Sequence, residues 1–501
     1  MTLTPSFQAF ETGYDEGQPQ LIWRSLISDL ETPVSAYLKL AGRRKNAFLL
    51  ESVEGGENLG RFSIIGFKPD IIWRCFGARS EINRDAAADT GRFAAEDGAP
   101  LDNLKRLLAE STIEPPHDLP PMAAGVFGYL GYDMVRQMER MGPRPAGGLD
   151  TPDAIFMRPT VVAVFDNVRQ QILLIATVRP QAGLSAQAAY SRAGERLSDA
   201  AEDLAGPLML NTATTPQPSA HSNNVSSNTK KEAFAEMVSR AKDHISAGDI
   251  FQVVLSQQFS APFEAPPFEL YRALRRSNPS PFLFYLCFDK FSLVGSSPEI
   301  LVRVRGNQVT IRPIAGTRAR GATVDEDIAL ERELLADPKE RAEHLMLLDL
   351  GRNDVGRSTK VGSVRVTESF EIERYSHVMH MVSNVVGELS DNVHPVDAVA
   401  AGFPAGTVTG APKIRAMEII DDLEKSARGI YGGAIGYFSA DGNVDTCIAL
   451  RTAIVKDNQL FVQAGAGIVA DSKPELEQRE CENKAAALFS AAREALAKTG
   501  N

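Results

Sequence analysis

The stretch from Gly206 to Thr229 constrains the fold more than any other part of the chain. Its composition shifts to Thr, Pro, Ser and Asn with few apolar residues, so it cannot supply a buried face. It divides a chain of 501 residues, too long for one core, into a region at 1–205 and a region at 230–501. Residues 206–229 then read as a linker or mobile loop. In the first region, 46–51 and 61–66 read as strands around a turn. Residues 161–165 and 171–176 flank Asp166-Asn167 like a hairpin, and 187–204 has helical spacing. After the linker, Thr229 and Glu232 form a capping-box pattern ahead of the apolar face Phe234, Met237, Val238, Ala241 and Ile245. Strands follow at 250–259, 282–288, 293–295, 301–305 and 308–311. Helices are expected at 325–335, 338–350, 395–401 and 412–425. Strands return at 434–438, 444–454 and 459–464, before a long closing helix from 474 to about 498. Many antiparallel strands with helices in blocks predict an α+β fold rather than a doubly wound sheet.

Composition narrows the function. With 44% hydrophobic and 23% charged residues the chain is an ordinary globular one. Its net charge of −11 disfavours nucleic acid or an anionic membrane as a partner, yet leaves room for an anionic small molecule at a locally basic site. The four cysteines, Cys75, Cys287, Cys447 and Cys481, form no C-x-x-C pair. That favours a reducing compartment over a disulfide framework. No leader pattern opens the sequence and no apolar run reaches membrane-spanning length, so the cytoplasm is expected.

The chemistry gathers in the second region. Phe403–Arg415 is a Gly/Thr/Pro segment running into a helix, with Lys413 and Arg415 at its start. Free N–H groups, two threonine hydroxyls and two cations are expected to converge there on an oxyanion. It is not a nucleotide P-loop, because Gly406 and Gly410 are too close and Lys413 follows Pro412. Glu340 and Glu343 share one helix face, as do Glu477 and Glu480, with Lys484 a turn further on. Two such faces suit a hard divalent cation, Mg²⁺ best, since it takes few carboxylates and keeps open positions. Taken alone, either pair also reads as solvated surface charge, and Glu480 with Lys484 as an i,i+4 ion pair. His377 and His380 lie three apart in an apolar setting, with His377 read as structural. Arg451 is carried by an apparent strand, Asp445–Thr452, and needs an anionic partner, either a structural carboxylate or a substrate's. Gly465 and Gly467 permit a ligand to approach the backbone closely. Jointly these describe a Mg²⁺-assisted site for a small polycarboxylate.

Residues 230–490 resemble the chorismate-utilising enzyme family. The resemblance rests on Gly248-Asp249-Ile250-Phe251-Gln252, Ser297-Pro298-Glu299, Arg312–Arg318, Arg341-Ala342-Glu343-His344 running to Asp349–Asp354, and Pro404–Lys413. It extends to Leu49-Leu50-Glu51-Ser52 in the first region. The family implies two large antiparallel β-sheets packed face to face with helices outside. It also implies that Glu343 and Glu480 ligate Mg²⁺, with Glu340 and Glu477 acting through the metal's waters and Lys484 assisting. Arg451 and Tyr431 would hold the enolpyruvyl carboxylate of chorismate, helped by the backbone at Gly465 and Gly467. Thr407, Gly316 and Thr317 would contact the substrate. Glu299 would be the general acid, and His380 would serve the later loss of pyruvate.

Two positions separate branches of the family. Relatives that add water carry a lysine base where this chain has Gln252, and a neutral amide cannot deprotonate water. Many aminodeoxychorismate-forming relatives carry a lysine where this chain has Ala315. Both differences imply addition of ammonia and elimination of pyruvate, giving anthranilate. The resemblance further implies a separate glutamine amidotransferase subunit as ammonia source, in a heterotetramer of two large and two small subunits. Glu51, Ser52, Pro281, Phe282 and Leu283 resemble an L-tryptophan feedback site, with Phe282-Leu283 departing from the usual Tyr-Met. The rival expectations are an aminodeoxychorismate synthase and a non-catalytic amino-acid sensor.

Overall fold

The computed structural model describes residues 2–54, 58–208, 225–375 and 378–499. Most of the expected linker, 209–224, therefore lies outside the described residues, as does His377. The β-branched and aromatic runs of the chain all find antiparallel partners. One sheet has the order Gln20–Ile27, Gln171–Val178, Ala154–Asp166, Asn58–Phe76, Ala47–Glu54, Phe282–Cys287, Ser292–Ser297, Thr452–Lys456, Gln459–Ile468 and Gln252–Pro262. The other runs from Arg79–Asn83 through Asn58–Phe76, Ala154–Asp166, Gly125–Leu130, Ala434–Ser439, Val444–Ile448, Ile300–Arg305 and Gln308–Ile311 to Val378–Glu388. Ile314–Ala319 and Arg365–Arg374 pair with that last strand.

Asn58–Phe76 and Ala154–Asp166 belong to both sheets. Their mutual register shifts between Pro69 and Ile71, where the ladder passes from one sheet into the other. Between the sheets lies a core that includes Phe48, Ile64, Phe127, Tyr129, Leu293 and Tyr437. Phe48 of one sheet stacks on Phe127 of the other at 4.4 Å. Helices Ala186–Ala205, Lys231–Ser246, Pro267–Ser277 and Pro474–Thr499 bury their apolar stripes against the outer face of the first sheet. Pro100–Ser111 and Pro395–Gly402 cover the second. The expected α+β architecture of face-to-face sheets with outer helices is present. Strands from both sides of 206–229 pair directly, Ala47–Glu54 with Phe282–Cys287 and Gly125–Leu130 with Ala434–Ser439.

Three local expectations change. The capping box at Thr229 does not form: the helix starts at Lys231, and Thr229 Oγ1 donates to Asn228 Oδ1 at 3.0 Å instead. The single strand expected over 444–454 is two strands, Val444–Ile448 and Thr452–Lys456. Arg451 sits in the break with φ of 47°, a left-handed conformation that no strand interior accommodates. Ile314–Ala319, Arg365–Arg374 and Val378–Glu388 are strands that periodicity alone does not mark, because the first two are exposed or half-buried throughout, the third is buried on both faces, and their mutual registers bulge.

Candidate active site

Glu299 leads into the Ile300–Arg305 strand and is buried. Thr407, in the short Gly406–Val408 turn, donates its hydroxyl hydrogen to Glu299 Oε1 at 3.2 Å. Burial pushes the Glu299 carboxyl up to about 8, against smaller opposing hydrogen bonds from Thr407 and the Ile314 N–H. A carboxylic acid that keeps its proton near neutrality is equipped to donate it.

Beside it, Pro298, Tyr375, Val378, His380 and Arg451 line a small cavity closed on another side by Asn278, Pro279 and Ser280. His380 Nδ1 lies 3.2 Å from the Gly316 carbonyl oxygen and 3.0 Å from Thr317 Oγ1. A carbonyl only accepts, so Nδ1 carries the hydrogen and Nε2 is left as the basic nitrogen. Burial lowers the His380 pKa, opposed by the Gly316 bond and reinforced by Arg451. The Gly316–His380 contact depends on Gly316 having φ of 64°, with Leu334 Cδ1 only 3.0 Å from where a Cβ would stand. Arg451 is held in the cavity wall by its strained backbone. Among the described residues its guanidinium has no carboxylate within ion-pair distance, and burial lowers its pKa. Of its two readings, the structural ion pair is not found among the described residues, and a buried guanidinium of this kind has room for an anionic partner.

The two glutamate pairs meet across helices Pro338–Gly356 and Pro474–Thr499. Burial raises the Glu343 pKa, with Glu340 and Glu480 both acting on it as like charges. Glu477 is raised by burial and by Glu480. Gln252 Nε2 donates to Glu343 Oε1 at 3.2 Å. Gly467 leaves the room for that amide, since a Cβ there would stand 2.7 Å from Gln252 Nε2. Lys484 spans the Gly465 carbonyl at 2.9 Å and Glu480 Oε1 at 2.7 Å, so the i,i+4 ion pair is present. Glu340 is partly engaged, accepting from Arg318 Nη1 at 3.1 Å. Among the described residues no three His, Cys, Asp or Glu side chains close into a ready-made cage. Glu343 and Glu477, raised by burial with Glu480 adding a like charge to each, are the residues here that could hold a cation such as Mg²⁺, which keeps most of its waters.

The Phe403–Arg415 stretch departs from expectation. Lys413 is buried and pairs with Asp354 at 2.7 Å, while Arg415 pairs with Asp249 and Glu418. Thr409 bonds back to the Ala405 carbonyl. Both cations are thus neutralised by carboxylates, and only Thr407 reaches the buried acid. The helix N-terminus is a packing junction rather than an oxyanion cradle.

Sequence reasoning missed the pair that holds this region. Arg428 forks onto Glu424 at 2.9 and 2.6 Å and donates to the carbonyls of Val408 at 2.6 Å and Val254 at 2.7 Å. Glu424 also accepts from the Ser256 N–H and hydroxyl at 2.7 and 2.8 Å. Arg428 lies 4.8 Å from the Tyr132 ring centroid and 5.5 Å from that of Tyr431. A buried ion pair with both carboxylate oxygens hydrogen-bonded ties the Thr407 turn, the Gln252 strand and Tyr431 together. Its only trace in the sequence is an ordinary i,i+4 Glu–Arg spacing. Tyr431 itself is buried, and its phenolic oxygen lies 2.9 Å from where a Gly465 Cβ would stand.

Glu51 and Ser52 come together with Phe282 and Leu283 through strand pairing, Ser52 opposite Phe282 and Glu51 opposite Leu283. The Glu51 carboxylate is buried and accepts from Arg275 at 2.7 and 3.0 Å and from the Tyr271 hydroxyl. Pro281 precedes the Phe282–Cys287 strand, in the same loop whose Asn278–Ser280 portion lines the His380 cavity.

Known proteins bear on this arrangement. The sequence profile described as chorismate binding enzyme matches residues 46–490. Anthranilate synthase component 1 of Cereibacter sphaeroides is 55% identical over 98% of each chain. That of Pseudomonas aeruginosa is 47% identical over 93% of this chain and 94% of the relative. The crystal structure of anthranilate synthase component I from Streptococcus pneumoniae superposes with a TM-score of 0.74 at 38% identity, over 93% of this chain and 99% of that one. A menaquinone-specific isochorismate synthase from Escherichia coli shares the fold at 20% identity and a TM-score of 0.69, covering 98% of this chain and 99% of the other. A profile matched over most of its length and relatives of 55% and 47% identity over nearly the whole of it show that the chain belongs to the family of chorismate binding enzymes, alongside the anthranilate synthase component 1 proteins.

Proposed function

We propose that the chain aminates chorismate with ammonia and eliminates pyruvate to give anthranilate, in the cytoplasm. The observation that carries this reading is the buried Glu299, holding its proton near neutrality, next in sequence to Pro298 of a cavity whose Arg451 has no carboxylate partner among the described residues. Arg451 and Tyr431 grip the enolpyruvyl carboxylate, with the backbone at Gly465 and Gly467 against it. Gly316, Thr317, Thr407 and Lys484 complete the cradle, so the dicarboxylate is clamped at both ends and its ring is oriented. Glu343 and Glu480 would hold Mg²⁺, and Glu340 and Glu477 would act through its waters. Bound there, the ion neutralises the ring carboxylate as an electrostatic clamp.

A hydroxyl is a poor leaving group, and Glu299 removes that barrier by donating its proton as ammonia adds to the ring. Gln252 is neutral and cannot activate water, so ammonia, already nucleophilic, reacts. His380, neutral with a free Nε2, serves the later loss of pyruvate. The names of the relatives, component 1, support a second component, proposed as a glutamine amidotransferase that supplies ammonia within a heterotetramer. L-Tryptophan is proposed to bind at Glu51, Ser52, Pro281, Phe282 and Leu283 and inhibit.

The test is product identification from purified chain, chorismate, Mg²⁺ and excess ammonium. Anthranilate, lost with a chelator or in Glu480→Ala, is expected. Accumulation of 4-amino-4-deoxychorismate would overturn the reading in favour of its folate-branch relative, and binding of chorismate without turnover would favour a sensor.

A further inference from the structure

A second cavity, of about 610 Å³, is lined by none of the residues assigned above. It opens where the Asn58–Phe76 and Ala154–Asp166 strands pass between the sheets, beside helix Ala186–Ala205. Arg158, Arg179 and Arg196 share its walls with a single inner carboxylate, Asp70. Arg158 takes that carboxylate as a fork, at 2.9 and 2.7 Å. Arg179 is left with the backbone carbonyls of Glu110 and Ser111, both at 2.8 Å, and Arg196 with that of Thr177 at 3.3 Å. The nearby Glu110 side chain is taken by Arg84 at 2.8 and 3.0 Å.

The Nε atoms of Arg179 and Arg196 are buried without a hydrogen-bond partner among the described residues. Burial pushes the Arg179 guanidinium down to about 10, and the like charge of Arg158 adds to it. Asp70 attracts both guanidiniums through space and Glu110 attracts Arg179, but their hydrogen bonds among the described residues go only to carbonyls, which is costly in a wall unless an anion completes them. The outer part of the cavity differs. Glu195 and Asp199 share one face of the helix with Arg192 and Arg196, and Asp85 stands opposite; these carboxylates are exposed.

We propose that this cavity binds a sugar phosphate, the phosphate seated on Arg179 and Arg196 and the hydroxyls donating to Asp85, Glu195 and Asp199. A phosphomonoester carries nearly two negative charges and three acceptor oxygens, which matches two guanidiniums that hydrogen-bond only to backbone carbonyls among the described residues. The rim carboxylates repel a bare polyanion and reward hydroxyl donors, so the sugar is as much a part of the match as the phosphate. The cavity volume falls within the usual range for sites of small ligands. This inference does not depend on the proposed reaction.

Isothermal titration calorimetry on the full chain tests it with glucose 6-phosphate, glucose and inorganic phosphate as probes. Glucose 6-phosphate is expected to bind, glucose not to bind, and inorganic phosphate to bind more weakly than the ester. Arg196→Gln, with its fold checked by circular dichroism, is expected to weaken glucose 6-phosphate by about tenfold or more, as for a lost charged hydrogen bond. Glu195→Gln changes an exposed side chain and spares the fold. It is expected to weaken glucose 6-phosphate while leaving inorganic phosphate unchanged or tighter. No binding of glucose 6-phosphate at millimolar concentration overturns the proposal. Equal affinities for the ester and inorganic phosphate, or an unchanged affinity in both variants, overturn it as well.

Discussion

Thr407 Oγ1 lies 3.2 Å from Glu299 Oε1, a contact made between residues 108 positions apart. The hydroxyl orients the carboxyl and slightly offsets the effect of its burial. Glu299→Gln keeps shape and hydrogen bonding but cannot give up a proton. Its kcat for ammonia-dependent turnover is expected to fall by about 10²–10⁴. Steady-state kinetics with the melting temperature measured in parallel checks this, because the stability is expected to be retained.

The same carboxyl sets two pH dependences. With its pKa raised to about 8, Glu299 is a competent acid only below that pH, so kcat/KM is expected to fall as pH rises through about 8. Stability follows the same sign. The folded state keeps a proton that the unfolded chain loses near the ordinary glutamate value of 4.5. Stability therefore declines as pH rises from that value towards about 8. Denaturant titrations across this window are expected to show a flatter pH profile for Glu299→Gln than for the unaltered chain.

Arg428 and Glu424 form a buried pair that also satisfies the Val254 and Val408 carbonyls. Arg428→Met leaves Glu424 charged and unpaired, at an expected cost of about 3–5 kcal/mol. Adding Glu424→Leu is expected to restore much of that stability. Turnover should stay low in the double variant, because the carbonyl next to Thr407 still lacks its donor. Urea unfolding and kcat measured on all three proteins separate the two effects.

Ser52 Oγ sits only 1.9 Å from where a Cβ at Gly60 would stand, and it donates to the Phe62 carbonyl at 3.3 Å. A larger side chain at this half-buried position would press on the Gly60 backbone. Ser52→Phe is expected to abolish inhibition by L-tryptophan while sparing ammonia-dependent activity, at an overpacking cost of about 1–3 kcal/mol. Inhibition curves at fixed chorismate are the check.

Gln252 donates to Glu343 at 3.2 Å, so a lysine there would pair with that carboxylate while protonated and supply a base once it had lost its proton. Gln252→Lys is expected to need more Mg²⁺ for half-maximal activity and to yield water-derived products beside the aminated one. Mass spectrometry of the product mixture across a Mg²⁺ titration decides it.

Several features were legible in the chain alone. Glu340, Glu343, Glu477 and Glu480 lie on helices because their spacing and apolar neighbours require it, and shared faces follow from a period of 3.6 residues. The hairpin at Asp166-Asn167, the closing helix and the ordered motifs from Gly248 to Lys413 are local facts of the same kind. The tertiary structure alone decided partnership. Lys413 and Arg415 read as cations awaiting an anion, yet Asp354, Asp249 and Glu418 take them. Arg451 read as a strand residue, yet it sits in a left-handed break with no carboxylate partner among the described residues. The regions before and after 206–229 read as separate, yet their strands interleave in both sheets. Periodicity reports which face of an element is buried. Which charge meets which, and which carboxyl loses its water, depends on contacts between residues far apart in sequence, where no local pattern records the partner.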